Sequence, residues 1–166
     1  MQAEDTKLIL RYLGGIEQQL DDVNVELFEL QERYNPIKGI AMDGMPHGST
    51  PGDSTASLAV RLADNEDCKN RESELLVRRA VLHSDRAAIK GQLDRLNSRY
   101  RTILAGRYVY SDPSLQVSWK SIARTLGKKE ITAQRWEKSA LIVFGGMLDE
   151  LPMVEEILLR AYDARD

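Results

Sequence analysis

Residues 118–138 read SWKSIARTLGKKEITAQRWEK, and this stretch predicts two short helices joined by a tight turn. In a helix-turn-helix unit, small or apolar residues occupy the positions where the two helices touch. Gly127 falls at the turn, where the absence of a Cβ atom permits a positive φ after the first helix. The residues predicted to face inward are Ile122, Ala123, Leu126, Ala133 and Trp136.

The polar residues of the same stretch are predicted to form an outward surface that binds DNA. The second helix of such a unit lies in the major groove, where its side chains contact base edges and phosphates. The predicted contacts are Lys120 and Arg124 from the first helix, and Lys129, Glu130, Gln134, Arg135 and Lys138 from the second. We expect Gln134 and Arg135 to reach bases and the cations Lys120, Arg124, Lys129 and Lys138 to hold phosphates. The alternative is an ordinary helical hairpin whose charged side chains are merely solvated.

Charge is distributed unevenly along the chain, whose net charge is -3 over 166 residues. Residues 1–35 carry three Lys and Arg against eight Asp and Glu, and residues 145–166 carry two against six. Residues 86–138 carry twelve against four, a net charge of +8. A basic segment around the motif of an otherwise acidic chain is typical of a module that contacts phosphates.

Apolar residues recur at alternating spacings of four and three near the N-terminus, which predicts a coiled-coil helix. This seam consists of Ile9, Leu13, Ile16, Leu20, Val23, Leu27, Leu30 and Tyr34. Gly14 and Gly15 each cost about 1 kcal/mol inside a helix, so we expect the first turns to fray. The seam either joins copies of the chain into a homo-oligomer or packs on the rest of its own chain.

A loop and a second long helix are predicted to follow. Residues 35–53 hold three of the five prolines and include the segment MDGMPHG. This composition predicts a connector, with contact to a ligand or partner as the alternative. A heptad-like stripe then runs toward the motif: Leu75, Leu82, Ile89, Leu93, Leu96, Tyr100 and Ile103. Because the loop lets the chain reverse, the second helix is the natural antiparallel partner of the first.

The last segment predicts an acidic helix that follows a hinge at Gly145 and Gly146, with Pro152 near its start. We expect this helix to dock on the small module or on a neighbouring subunit. The alternative is that its carboxylates cover the basic face and compete with DNA.

Other classes of function find no support in the sequence. It has no run of about 18 apolar residues and no signal-peptide pattern, so we expect a cytoplasmic protein without membrane contact. Cys68 is the single cysteine, and His47 and His83 stand alone, which argues against a metal site. Because nucleotide-binding loops and nucleophile motifs are also absent, we expect no cofactor and no enzymatic activity.

Residues 96–141 contain the segments RYRTILAGRY, SWKSIARTLG and TAQRWEKSAL. On these segments, the region resembles region four of bacterial primary-type sigma factors, which reads an upstream promoter element. Over residues 9–141, with the coil and MDGMPHG, the chain is similar to short sigma-like regulators of phages and prophages of Gram-positive bacteria (ArpU/RinA-type late-operon activators). The five second-helix contacts match the DNA-facing positions of that family. Nothing resembles the core-polymerase-binding or promoter-melting regions, which implies a protein that modifies transcription without opening promoters alone.

The turn departs from the family pattern at two positions. Lys128 and Lys129 replace the usual apolar residue and the serine that follows it. An apolar residue normally plugs the turn, so we expect a looser turn, and the capping of the second helix is in question.

The sequence therefore predicts an all-α protein in which long coiled-coil helices precede a small helix-turn-helix module. The predicted domains are residues 1–95 for oligomerisation, 96–144 for the helix-turn-helix and 145–166 for the acidic helix. The predicted function is sequence-specific regulation of phage or prophage transcription by a homo-oligomer, a dimer or tetramer, that binds double-stranded DNA. Host RNA polymerase is a further candidate partner. Two alternatives stay open: a DNA-packaging subunit like the small terminases, and a coiled-coil adaptor that binds protein only.

Overall fold

A computed structural model describes the backbone of residues 1–33 and 54–165 and the side chains of residues 1–32 and 66–165. This part of the chain contains helices, turns and no β-strand, so the predicted all-α class is confirmed. The helices are α1 (Ala3–Arg33), α2 (Ser54–Arg95), α3 (Ser98–Tyr108), α4 (Trp119–Leu126), α5 (Glu130–Asp149) and α6 (Val154–Asp163). None of these described helices is both long and apolar enough to cross a membrane. The predicted loop at residues 35–53, with MDGMPHG and His47, and the seam residue Tyr34 lie outside the described residues.

The chain forms two compact units. One unit contains Met1–Leu20 with Val81–Asp166, and the other contains Asp21–Ala80. The unit boundaries fall inside α1 and α2, so both long helices contribute to both units. The domain boundaries predicted after residues 95 and 144 stay a prediction, because compactness alone does not show which segments fold independently.

The apolar seam of α1 is buried by the chain itself. The buried residues are Ile9, Leu13, Ile16, Leu20, Val23 and Leu27 of α1, and Leu75, Leu82, Ile89 and Leu93 of α2. Ion pairs join Glu17 to Arg86 and Glu26 to Arg71. Glu17 comes before Glu26 in α1, whereas its partner Arg86 comes after Arg71 in α2. The two helices are therefore antiparallel, as in a helical hairpin. The stripe that the sequence offered to a second copy is therefore used within one chain.

A buried carboxylate joins α1, α2 and α6. Asp85 of α2 is 1% exposed and accepts a hydrogen bond from the Tyr12 hydroxyl at 2.9 Å. It also accepts two hydrogen bonds, each of 2.8 Å, from Nε and Nη2 of Arg160. Nearby, the Tyr162 hydroxyl donates to Asp5 at 2.8 Å. These bonds dock α6 on α1 and α2, and among the described residues no carboxylate of α6 pairs with a cation of α4 or α5.

Gly14 permits a close approach between α1 and the chain that follows α3. A Cβ atom at Gly14 would overlap the backbone of Tyr110, whereas one at Gly15 would meet only the Gln19 amide, at 4.0 Å. Leu8 and Leu10, in the preceding turns of α1, are also buried. Packing therefore holds the first turns of α1, where the sequence led us to expect fraying.

Helix α5 continues through Gly145 and Gly146, so the predicted hinge is wrong. A Cβ atom at Gly145 would lie 2.9 Å from Oγ1 of Thr6 in α1, and Thr6 is fully buried. A distance below about 3 Å is shorter than carbon and oxygen tolerate without displacement. Gly145 is therefore the point at which α5 crosses α1 closely, and the helix ends four residues later at Asp149.

The two adjacent glycines of α1 give a direct test of this packing. Gly14→Ala should lower the free energy of unfolding by more than about 2 kcal/mol, because the methyl group meets backbone that cannot move aside. Gly15→Ala is the matched control and should raise it by up to about 1 kcal/mol, since alanine is the better helix former. Urea unfolding followed by circular dichroism measures both, and equal effects would contradict the close approach.

The Tyr12 hydroxyl makes stability sensitive to alkaline pH. Burial, reinforced by the hydrogen bond to Asp85, raises the pKa of Tyr12 above its usual value. Above about pH 10 the unfolded chain releases this proton while the folded chain keeps it, so the free energy of unfolding should fall as pH rises. Tyr12→Phe should reduce that fall in urea titrations between about pH 8 and 11. The same slope in both proteins would show that Tyr12 does not cause it.

Candidate nucleic-acid interface

Helices α3, α4 and α5 pack around a small apolar core. Its members are Ile103, Ile122, Ala123 and Ala133, with Trp119, Leu126 and Trp136 packed against them. All five residues predicted to face inward belong to this group. Ala123 and Ala133 are 4% and 0% exposed, so both small side chains are buried in this core.

The connection between α4 and α5 is closed by backbone hydrogen bonds. Gly127 takes a left-handed conformation, with φ of 62°. Its N–H donates to the Arg124 carbonyl at 3.1 Å, and the Lys128 N–H donates to the Ala123 carbonyl at 2.9 Å. These are the two bonds of a Schellman motif. The turn is thus closed although Lys128 provides no apolar plug, and the looser turn expected from Lys128 is not observed.

Lys129 occupies the N-cap position of α5. Its backbone is extended, with φ of -76° and ψ of 149°, and its side chain makes no capping hydrogen bond. A lysine ammonium has no acceptor to offer the free N–H groups of the first turn. The sequence put the capping of α5 in question, and the structure shows that this helix has no side-chain cap at its N-terminus.

All seven predicted DNA-facing side chains are exposed. They are Lys120, Arg124, Lys129, Glu130, Gln134, Arg135 and Lys138. None of the seven side chains has a hydrogen bond or ion pair to another described residue. The structure thus brings five cations, one carboxylate and one amide together on the outer side of α4, the turn and the start of α5.

Ile131 is an exposed apolar side chain that the sequence analysis missed. It is 63% exposed and lies three and four residues before Gln134 and Arg135. Side chains at these spacings share one face of a helix. The same spacing rule was available in the sequence, but an isoleucine in a helix is more often assigned to a core.

Two arginines of α3 contact the tryptophans of α4 and α5, and the sequence analysis missed both. The guanidinium of Arg107 lies 4.7 Å from the centroid of the Trp119 ring, and Arg107 Nη1 donates to the Val117 carbonyl at 3.2 Å. The guanidinium of Arg99 lies 5.4 Å from the Trp136 ring. Arg107 thus supports the start of α4, while the exposed Arg99 adds a cation beside α5. Both lie in the basic segment, but only the packing of α3 reveals their partners.

Glu137 faces the interior of the unit rather than the outer surface. Its carboxylate accepts a hydrogen bond from the Tyr108 hydroxyl of α3. Burial, together with this hydrogen bond, raises the pKa of Tyr108. The bond connects α3 to α5 and leaves Glu130 as the acidic side chain that accompanies the exposed cations.

No group of three or more His, Cys, Asp or Glu residues in the described part of the chain is placed to hold a metal ion. Comparison with known proteins yields no matching family model. No curated protein and no solved structure matches the chain either.

Because α5 has no side-chain cap at its N-terminus, we expect a suitable substitution of Lys129 to stabilise the protein. Lys129→Ser should raise the free energy of unfolding by about 0.5 to 1 kcal/mol, because a serine hydroxyl accepts a hydrogen bond from the first turn of the helix. Lys128→Ser removes the same charge one residue earlier, outside the cap position, and should bring no such gain. Thermal unfolding of the two variants measures the difference, and equal stabilities would contradict this view of the N-cap.

Proposed function

We propose that the chain is a sequence-specific DNA-binding transcriptional regulator of phage or prophage genes, with α5 as the helix that enters the major groove. The observation that supports this function is the set of exposed side chains without intramolecular partners on α4, the turn and α5. Long cationic side chains that make no internal bond are free to meet phosphates. The phage context rests on the resemblance of residues 96–141 to region four of sigma factors.

Phosphate contacts are assigned to the cations that flank the reading helix. Lys120 and Arg124 are four residues apart on α4, so they share one face, and Lys129 and Lys138 flank the outer face of α5. Each phosphate neutralised releases counterions, which makes binding weaken steeply as salt rises. The acidic remainder of the chain repels DNA, so it favours approach through this basic surface.

Base contacts are assigned to the first turns of α5. An arginine such as Arg135 pairs with two acceptors of guanine, and a glutamine such as Gln134 pairs with adenine. Glu130 matches the amino group of cytosine, and Ile131 matches the methyl group of thymine. These four side chains lie within six residues of one another, which suits a short recognition sequence.

A homo-oligomer, a dimer or tetramer, would present one such helix per copy. Two-fold symmetric proteins bind DNA half-sites about one helical turn apart, so the preferred site is expected to contain two related halves. Host RNA polymerase is the partner through which DNA binding would alter transcription.

Two substitutions on α5 separate base reading from phosphate binding. After the preferred site is selected from random DNA, Arg135→Ala should weaken binding to it by about 1 to 3 kcal/mol and relax specificity at one position. Lys138→Ala should weaken preferred and random DNA alike and lower the salt slope by about 1. Fluorescence anisotropy at several salt concentrations measures both effects.

Lys90→Ala is the control, because it removes one exposed charge of the same sign from α2. Its affinity for DNA should stay close to that of the unmodified chain. Salt-sensitive binding that is equally reduced by Lys90→Ala and Lys138→Ala would show non-specific attraction only. Absence of salt-sensitive DNA binding would refute the proposed function and favour a protein-binding adaptor.

A further inference from the structure

A cleft lies within the unit formed by Met1–Leu20 and Val81–Asp166. Residues of α1, α2, α3 and the chain that joins α3 to α4 line it, and its volume is about 500 Å³. Sites for small molecules usually measure about 300 to 1,000 Å³. None of the seven predicted DNA-facing side chains lines the cleft. It is therefore a candidate binding site separate from the proposed DNA-binding surface.

Helical spacing directs several side chains to the cleft. Arg86, Lys90 and Asp94 line it from α2 and follow one another at intervals of four residues. Arg101 and Ala105 line it from α3 and are also four residues apart. Because residues four apart share one face of a helix, one face of α2 and one face of α3 border the same space.

Each side of the cleft contributes apolar side chains. They are Leu13 of α1, Leu93 of α2, Ala105 of α3, and Val109 and Leu115 from the chain after α3. Leu13 and Leu93 are 7% and 6% exposed, whereas Leu115 is 62% exposed. An apolar molecule in the cleft would remove part of the Leu115 surface from water, which is favourable. The cleft therefore suits an occupant with an apolar body.

The charged side chains of the cleft leave one cation without an anion. Glu17 forms an ion pair with Arg86, and Oδ1 of Asp94 lies 3.7 Å from Nη1 of Arg101. Lys90 is exposed and makes no hydrogen bond or ion pair with another described residue. Both carboxylates that line the cleft are thus paired with arginines, so the ammonium of Lys90 is available to an anionic occupant.

We propose that the cleft binds a small organic anion, in which a carboxylate or sulfonate is attached to an apolar ring or chain. The anionic group pairs with Lys90, and the apolar body covers Leu115. A neutral molecule would leave Lys90 without an anion, and an inorganic anion would leave Leu115 uncovered. A cationic molecule would be repelled by Lys90. The site does not depend on DNA binding.

Two fluorescent probes separate the anionic group from the apolar body. Anilinonaphthalene sulfonate carries a sulfonate, whereas phenylnaphthylamine has the same rings without it. In fluorescence titrations of the full chain, Lys90→Gln should raise the dissociation constant of the sulfonate probe about 5-fold, as expected for one partly exposed ion pair. It should leave that of the neutral probe unchanged. Lys69→Gln is the matched control, because Lys69 is exposed on α2 but does not line the cleft.

A pair of substitutions at Leu115 tests whether the probe binds in the cleft. Leu115→Glu and Leu115→Lys remove the same apolar side chain and introduce opposite charges at an exposed position. The glutamate variant should bind the sulfonate probe about 10-fold more weakly than the lysine variant, because like charges repel. Leu159→Glu and Leu159→Lys are the controls. Leu159 is 65% exposed on α6 and does not line the cleft, so these two should bind the probe equally. Circular dichroism confirms that all variants fold.

Three results would overturn the proposal. They are an unmodified chain that does not bind the sulfonate probe, equal weakening by Lys90→Gln and Lys69→Gln, and equal affinity of the two Leu115 variants. The DNA experiments contain no probe, and Lys90 is not assigned to DNA. Absence of salt-sensitive DNA binding together with probe binding that depends on Lys90 would therefore count against the proposed function alone.

Discussion

The carboxylate of Asp85 is the interaction on which the larger unit depends. A charged group with 1% exposure loses its hydration, so it is tolerated only where hydrogen-bond donors replace water. Tyr12 and Arg160 supply these donors from α1 and α6. Removing one donor would leave an oxygen of this buried carboxylate without a partner, which typically costs about 1 to 3 kcal/mol. Helices that are far apart in the chain must therefore meet at one point, and this requirement selects one packing of α1, α2 and α6.

Glycine has a packing role at two further contacts of the same unit. Gly14 lets α1 touch the backbone at Tyr110, and Gly145 lets α5 touch Thr6. Because α5 runs without interruption from Glu130 to Asp149, its first turns and its contact with α1 belong to one helix. The proposed reading surface is thus presented by a helix whose other end is packed in the core, where Phe144 and Leu148 are fully buried. Such support limits the positions that the exposed side chains can take.

Much of the fold was predictable because helical periodicity records which side of each helix is covered. The seam of α1, the inward positions of α4 and α5 and the glycine at their turn all follow from spacing. The spacing of apolar residues does not identify the surface that covers them. The seam of α1 could therefore have packed on a second copy of the chain, and only the structure shows that it is buried within the chain itself. The hinge at Gly145 was wrong for a related reason. Glycine marks both bends and close contacts, and only the neighbouring Thr6 tells which applies.

The sequence by itself determined the all-helical class of the protein. At the candidate interface it also determined the residues of the turn and the cluster of cations around it. These features depend on local helix propensity, on the spacing of apolar residues and on composition. Tertiary structure decided which charged groups are free and which are used internally. Glu130 and Glu137 look alike in the sequence, yet Glu137 binds Tyr108 and Glu130 faces outward. Arg99 and Arg107 likewise acquire tryptophan partners only through the packing of α3. The physical reason is that a side chain's partners depend on distances between helices, which a one-dimensional pattern does not contain.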